Sequence, residues 1–315
     1  MTTPHFITAL ATPLRKDDSL HKEGLESEID DAIRNGINGL FVGGSMGAMQ
    51  MLSDATYREL MSHAASVVRD RAELLAGIGD TSLARTRDRL LLVNTLRVDA
   101  VVVLTPYVEQ FSQLELIDYY TELADLARAP LFLYDLPQVS KTKLQRETVL
   151  RLSKHPNIRG IKCSHDPAYA RQLRDSAPDS FRVILAFPLL LDSLLRHGLM
   201  EHLDGVFCLC PGLVAAIGQA AVEGDWNRAA VLQHALNAFY DSLLPDGVWR
   251  PFTALMHHRG VMGQFNPRPY HPWTADEEAR YLSLPETVRF LEMLEELEGE
   301  SVRSLVHESD AQLVS

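Results

Sequence analysis

The chain has 315 residues, long for one ordinary domain and short for three, and its 46% hydrophobic and 23% charged content is that of a soluble globular protein. A formal net charge of −12 argues against a nucleic-acid partner, so an anionic small-molecule ligand would need a local positive group or backbone N–H donors. No signal peptide and no run of 18 apolar residues is apparent, and the three cysteines (Cys163, Cys208, Cys210) have no framework spacing, so the expectation is a cytoplasmic protein with no membrane span.

In chain order, residues 6–10 are an apolar run closed by Thr12-Pro13 and read as a first strand. Leu25, Ile29 and Ile33 give helical spacing over residues 23–34, stopped at Gly36. Residues 39–42 form a second strand that runs into the turn Gly43-Gly44-Ser45-Met46-Gly47. Asp54 reads as the N-cap of a helix reaching about Arg69. Strands at 74–79 and 100–104 alternate with helices at 83–96 and 113–128. The fifth strand, 131–135, carries Tyr134, and the sixth, 160–164, carries Lys162. Helices at 146–154 and 167–175, a seventh strand at 182–186 and a helix at 189–196 follow. Residues 205–209 read as the eighth strand, with Cys208 and Cys210 on one side as buried structural thiols, a metal pair being the alternative.

Eight apolar strands separated by helical patterns, none with strict apolar/polar alternation, point to a parallel sheet closed as a (β/α)8 TIM barrel. A doubly wound sheet is the alternative, but the first strand ends in Ala11-Thr12-Pro13-Leu14 and not in a phosphate-binding glycine pattern. Beyond residue 212 the pattern is purely helical, at 213–223, 226–244, 252–258 and 285–298. The expected organisation is a barrel over 1–223, a C-terminal helical extension over 224–299 and a frayed polar tail over 300–315.

Barrel enzymes carry their chemistry at the C-terminal ends of the strands. Lys162 is the strong nucleophile at such an end, because desolvation lowers a lysine pKa and frees the amine to attack a carbonyl. The competing reading is a lysine that snorkels to the rim beside a carboxylate. Tyr134, 28 residues earlier, would pass protons to and from a carbinolamine. Strand alternation turns Cys163 away from the barrel axis. His165 reads as a surface-loop residue, Asp80 as a helix cap, Met49 and Met51 as core fillers, and His257-His258 as remote from the mouth.

Ala9-Leu10-Ala11-Thr12-Pro13, Gly44-Ser45-Met46-Gly47, Thr105-Pro106-Tyr107, Tyr134-Asp135-Leu136-Pro137 and Gly160-Ile161-Lys162 together resemble the dihydrodipicolinate synthase / N-acetylneuraminate lyase family, in its order and spacing, over roughly residues 5 to 298. The resemblance implies an imine between Lys162 and the keto carbon of pyruvate or a pyruvate-like end, with Tyr134 as proton shuttle. The turn would offer backbone N–H groups, ahead of a helix, to the substrate carboxylate, and Ser45 a hydroxyl to the relay. Gly44, Met46, Gly47, Thr12, Tyr107, Val139, Phe187 and Phe207 are the expected substrate-binding residues, with no metal and no cofactor.

Departures from the family pattern are Met46 for a threonine, Ala48 for a glutamate, Val108 for a second tyrosine and Val139 for an arginine that holds the semialdehyde. Met46, Val108, Val139 and Phe187 suggest a less polar distal pocket than either named enzyme has. The expected activity is a Schiff-base lyase, aldolase or dehydratase, on a 2-keto-3-deoxy acid or related 2-oxo acid. Alternatives are a dihydrodipicolinate synthase with an altered semialdehyde site, or a family member that binds a 2-oxo acid without turnover. The resemblance also implies a homotetramer of tight dimers, or a dimer.

Overall fold

The structure, a computed structural model, describes residues 3–243 and 247–312, with side chains described as far as Gly299. Strands and helices alternate as β1 (His5–Ala9), α1 (Lys22–Arg34), β2 (Gly39–Val42), α2 (Asp54–Val68), β3 (Glu73–Gly77), α3 (Leu83–Val93), β4 (Ala100–Leu104), α4 (Gln113–Leu126), β5 (Leu131–Asp135), α5 (Pro137–Ser140), α6 (Arg146–Leu152), β6 (Ile158–Cys163), α7 (Pro167–Ser176), β7 (Arg182–Leu185), α8 (Leu191–Arg196) and β8 (Glu201–Asp204). All the pairings are parallel, and β8 returns to β1 to close the barrel in sequence order. The (β/α)8 barrel and its helical extension are therefore as expected.

Strand alternation sorts the side chains into two shells. Ile7, Phe41, Leu75, Val102, Phe132, Ile184 and Leu203 fill the barrel interior. Leu40, Leu74, Val101, Leu133, Ile161 and Cys163 face the helices on the outside. Burial on both faces is why these strands read as continuous apolar runs. Gly160 takes an inward position where any Cβ would strike the Phe132 ring.

An ionic plug closes the N-terminal floor. Arg182 Nη1 reaches Glu73 Oε1 at 2.5 Å, its Nε reaches Glu201 Oε2 at 2.7 Å, and its Nη2 lies 3.3 Å from His5 Nδ1. These groups come from β1, β3, β7 and β8, so the plug ties four strands together.

After β8 the chain makes a 3₁₀ turn (Val206–Cys208) and then α9 (Pro211–Glu223), α10 (Trp226–Leu243), α11 (Trp249–His258), α12 (Ala275–Leu282) and α13 (Pro285–Gln312). Phe239 of α10 stacks on Phe290 of α13 at 3.7 Å. Arg259 bridges Asp31 of α1 at 2.8 Å and Glu298 of α13 at 3.0 Å, fastening the extension to the barrel.

The eighth strand differs from expectation. It is Glu201–Asp204, not residues 205–209, which form the 3₁₀ turn. The polar letters of β8 each have a local use: Glu201 serves the floor plug, and His202 is buried against Phe6 with Nε2 2.8 Å from the Leu199 carbonyl oxygen. Cys208 and Cys210 are thus in a turn and at a helix start, buried, with their thiols directed at the carbonyl oxygens of Gly205 and Val206. Ser53, not Asp54, caps α2, its side chain accepting from Thr56 N at 3.1 Å. Two helices are additional to the expected set, the single turn α5 and α12, the latter opened by a Thr274/Glu277 capping box. The tail expected to fray continues α13 to Gln312, its side chains lying outside the described residues and residues 313–315 wholly so.

Candidate active site

Lys162 and Tyr134 are directly opposite in the β5–β6 register, both turned into the barrel near its C-terminal end. Lys162 Nζ donates to Tyr134 Oη at 3.1 Å, and Tyr134 Oη is 2.9 Å from Ser45 Oγ. Lys162 and Tyr134 are buried, at 5% and 2% exposure, and Ser45, half-buried, is the end of this hydrogen-bonded chain nearest water. The amine lies 4.2 Å from the Tyr134 ring centroid and 5.2 Å from that of Phe41, whose electron-rich faces offset part of the cost of burying a cation. Phe41 meets Tyr134 edge-on at 6.1 Å and so limits its swing. Gly44 leaves room for that ring, since a Cβ there would meet Phe41.

The Gly44-to-Gly47 turn is held from two sides. Thr12 Oγ1 donates to the Gly47 carbonyl oxygen at 2.7 Å, and within the turn Ala48 N donates to Ser45 O at 3.1 Å and Met49 N to Gly44 O at 3.2 Å. The N–H groups of Ser45, Met46 and Gly47 find no acceptor among the described residues. Such a set of unengaged donors is a nest for an anionic oxygen. The turn does not lead into a helix as expected: α2 begins only at Asp54, so the donors act without a helix dipole behind them.

A cavity of about 430 Å³ opens from Lys162, Tyr134, Ser45 and Met46 toward the extension. Ala9, Leu136, Ser164, Ala186 and Pro188 line its barrel side. Val206 and Leu209 follow β8, and Tyr240, Trp249 and Phe252 come from α10 and α11. Lys162 is its one cationic side chain among the described residues. Asp204 also faces it; burial raises the Asp204 carboxyl above its usual range, against the Val206 N–H and the nearby Lys162 ammonium. Sequence reasoning missed Asp204 because it treated this stretch as a loop before the last strand.

Several expected substrate-binding residues are elsewhere. Phe207 is fully buried beneath the 3₁₀ turn, edge-on to Phe6 at 6.0 Å, because the strand expected to present it does not exist. Phe187 precedes the turn at Pro188 and packs on the outer core, and Val139 packs in α5 against the interior core, so neither lines the cavity. Val108, counted with them as a distal wall, is 58% exposed. Thr12, Gly44 and Gly47 shape the turn. Met46 does line the cavity, its side chain lying against Gly205.

Tyr107 belongs to a neighbouring buried cluster, its hydroxyl donating to Asp80 Oδ1 at 3.5 Å. Burial and then the Asp80 charge push its phenol up to about 12. Burial alone would raise Asp80, but the Arg85 hydrogen bond, the Thr81 N–H and the Arg89 charge hold it below its ordinary value. Ser82, not Asp80, caps α3.

Behind the Tyr134/Lys162 pair, Asp135 is fully buried and burial pushes its carboxyl up to about 7. His165, expected on the surface, is 8% exposed with Nδ1 3.1 Å from Asp135 Oδ2, an approach too oblique for either atom to complete a hydrogen bond. Sequence carried no signal for this contact, which joins the last residue of β5 to the loop after β6. Among the described residues no group of three or more His, Cys, Asp or Glu side chains is placed to hold a metal ion, and no helix is long and apolar enough to cross a membrane.

A parallel barrel with a buried lysine–tyrosine pair at its mouth defines a class of enzyme-like folds, and comparison with known proteins narrows it. The profile of the Dihydrodipicolinate synthetase family matches residues 3–288, and the chain belongs to that family. It is 30% identical over 286 residues to a 4-hydroxy-tetrahydrodipicolinate synthase of an Exiguobacterium species, covering 89% of this chain and 96% of that protein. It is 29% identical over 285 residues to an N-acetylneuraminate lyase of Rhizobium meliloti, covering 89% and 93%. In fold it matches a variant of 2-keto-3-deoxygluconate aldolase from Sulfolobus solfataricus, with a TM-score of 0.84 at 20% identity over 94% of this chain and 99% of that one. The family is one of Schiff-base lyases and aldolases.

Proposed function

We propose that the protein is a class I lyase, an aldolase or dehydratase, that takes a 2-keto-3-deoxy acid or related 2-oxo acid as a Lys162 imine. The observation that carries this reading is the hydrogen-bonded chain from the buried Lys162 Nζ through Tyr134 Oη to Ser45 Oγ at the wall of one cavity.

In this reading the substrate carboxylate sits on the free N–H groups of Ser45, Met46 and Gly47. The neutral Lys162 amine attacks the keto carbon, and Tyr134 hands a proton to the carbinolamine oxygen, which leaves as water. The protonated imine then draws electrons from the neighbouring carbon. A C–C bond breaks or a β-hydroxyl departs, according to which bond the pocket aligns. Ser45 relays the proton back to Tyr134.

The family also supports a dihydrodipicolinate synthase reading, but Val139 stands where the resemblance calls for an arginine and packs against the interior core. Activity on a panel of 2-keto-3-deoxy acids, with Lys162→Ala as control, tests the proposal: turnover that disappears in the variant supports it. Turnover that survives Lys162→Ala, or pyruvate and aspartate semialdehyde as the best substrate pair, contradicts it.

A further inference from the structure

We infer that the distal half of the cavity is built for an apolar, preferably aromatic, substituent on the 2-oxo acid, and not for a polyol. The inference rests on the imine reading above, which fixes the keto acid end at Lys162.

The polar groups are unevenly distributed. Ser45, Tyr134 and Lys162 form the reacting end. Ser164 follows Lys162 by two residues, so strand alternation carries it to the same side, and its buried hydroxyl has no partner among the described residues. Asp204 and Tyr240 add one hydrogen-bonding corner, where burial and then the Asp204 charge raise the Tyr240 phenol. Beyond these, among the described residues, the wall is apolar and includes Pro188, Val206, Leu209, Leu243, Trp249 and Phe252. Trp249 and Phe252 meet edge-on at 6.3 Å, leaving the apolar ring system of α11 against the cavity.

A ligand with one hydroxyl near the reacting carbons is served by Ser164 and by the Asp204–Tyr240 corner. A chain with three or four hydroxyls would press the rest against carbon surfaces and leave them without partners, which a buried site rejects strongly. An aryl or branched alkyl group instead exchanges water for aromatic and aliphatic contacts. The 430 Å³ volume is within the range that holds a small-molecule ligand, so an aryl-bearing C4 acid has room.

Imine formation alone tests this, with no assumption about which bond later breaks: amine and ketone condense to an imine with loss of one water. The purified protein is incubated with 2-oxo-4-phenylbutanoate or with 2-keto-3-deoxygluconate and reduced with borohydride. The adduct on Lys162 is measured by mass against concentration, with pyruvate as the reference. The expected result is half-saturation by the phenyl acid at a concentration at least about tenfold lower than by the sugar acid. Trp249→Ala, which is half-buried and outside the barrel core, should shrink that ratio at least several-fold, with an unchanged melting temperature confirming the fold. A pyruvate adduct at Lys162 with the sugar acid saturating as easily as the phenyl acid would overturn the inference and leave the imine reading standing. No pyruvate adduct at Lys162 would overturn the imine reading, and this inference with it.

Discussion

Tyr134 and Lys162 are register partners on adjacent strands, and their reactive atoms meet at 3.1 Å inside the barrel. Both side chains project from paired strands, so the pair is preorganised and not assembled by a loop. Geometry of this kind holds a proton donor within reach of the oxygen that must leave as water.

Tyr134→Phe keeps the ring packed against Phe41 and removes only the hydroxyl. Its expected effect is a fall in kcat of about 100- to 10,000-fold, the range of a lost general acid/base. Circular dichroism and melting temperature should stay near those of the parent. Single-turnover kinetics should show imine formation itself slowed; a normal rate of imine formation would remove Tyr134 from the carbinolamine step.

Ser45→Ala separates carboxylate binding from proton relay, because it removes the hydroxyl that meets Tyr134 and keeps the backbone N–H groups of the turn. The expected effect is a fall in kcat of roughly tenfold or more with KM for a 2-oxo acid nearly unmoved. A rise in KM with kcat unchanged would assign the hydroxyl to carboxylate binding and remove it from the relay.

Acid sensitivity should centre on His202. Burial lowers its folded pKa to about 4 from an ordinary 6.5, so below 6.5 the unfolded chain takes up a proton that the folded one refuses. Stability is therefore fully present above pH 6.5 and is lost as pH falls toward 4, by about 3 kcal/mol at most. Asp135 acts in the opposite sense. Its raised folded pKa of about 7 makes the folded state hold a proton that the unfolded state releases, so its contribution declines as pH rises from about 4 to 7. Chemical denaturation across pH 4 to 8 of the parent, His202→Phe and Asp135→Asn resolves the two: the first variant should lose the acid limb, the second the neutral one.

Arg182→Met should destabilise the fold without touching the mouth. It leaves Glu73 and Glu201 facing each other at the barrel floor with only His5 to compensate. The plug is about a quarter exposed, so the expected loss is about 2 kcal/mol, below that of a fully buried pair. Denaturant midpoints measure it, and unchanged kinetics at low temperature would show that the plug is structural.

Seven of the eight strands were legible because burial on both faces writes them as apolar runs. Glu201–Asp204 was not, because its polar residues find partners that lie far off in sequence, such as Arg182 and Phe6. The apolar run at 205–209 drew the assignment to itself although it only seats the 3₁₀ turn. At the site, Lys162 and Tyr134 could be read from strand ends and spacing. The distal wall could not: Tyr240, Trp249 and Phe252 reach the cavity from helices more than 70 residues beyond Lys162, and no periodicity reports which face of a helix meets a barrel mouth. Val108, Val139 and Phe187, from which an apolar distal pocket was expected, do not line the cavity.

The central claim is an imine at Lys162. Incubation with pyruvate, reduction with borohydride and peptide mass mapping tests it most directly. The account predicts a single reduced pyruvyl adduct on the peptide carrying Lys162, absent from Lys162→Ala. Failure to trap any adduct, or an adduct on another lysine with Lys162 unmodified, would contradict it.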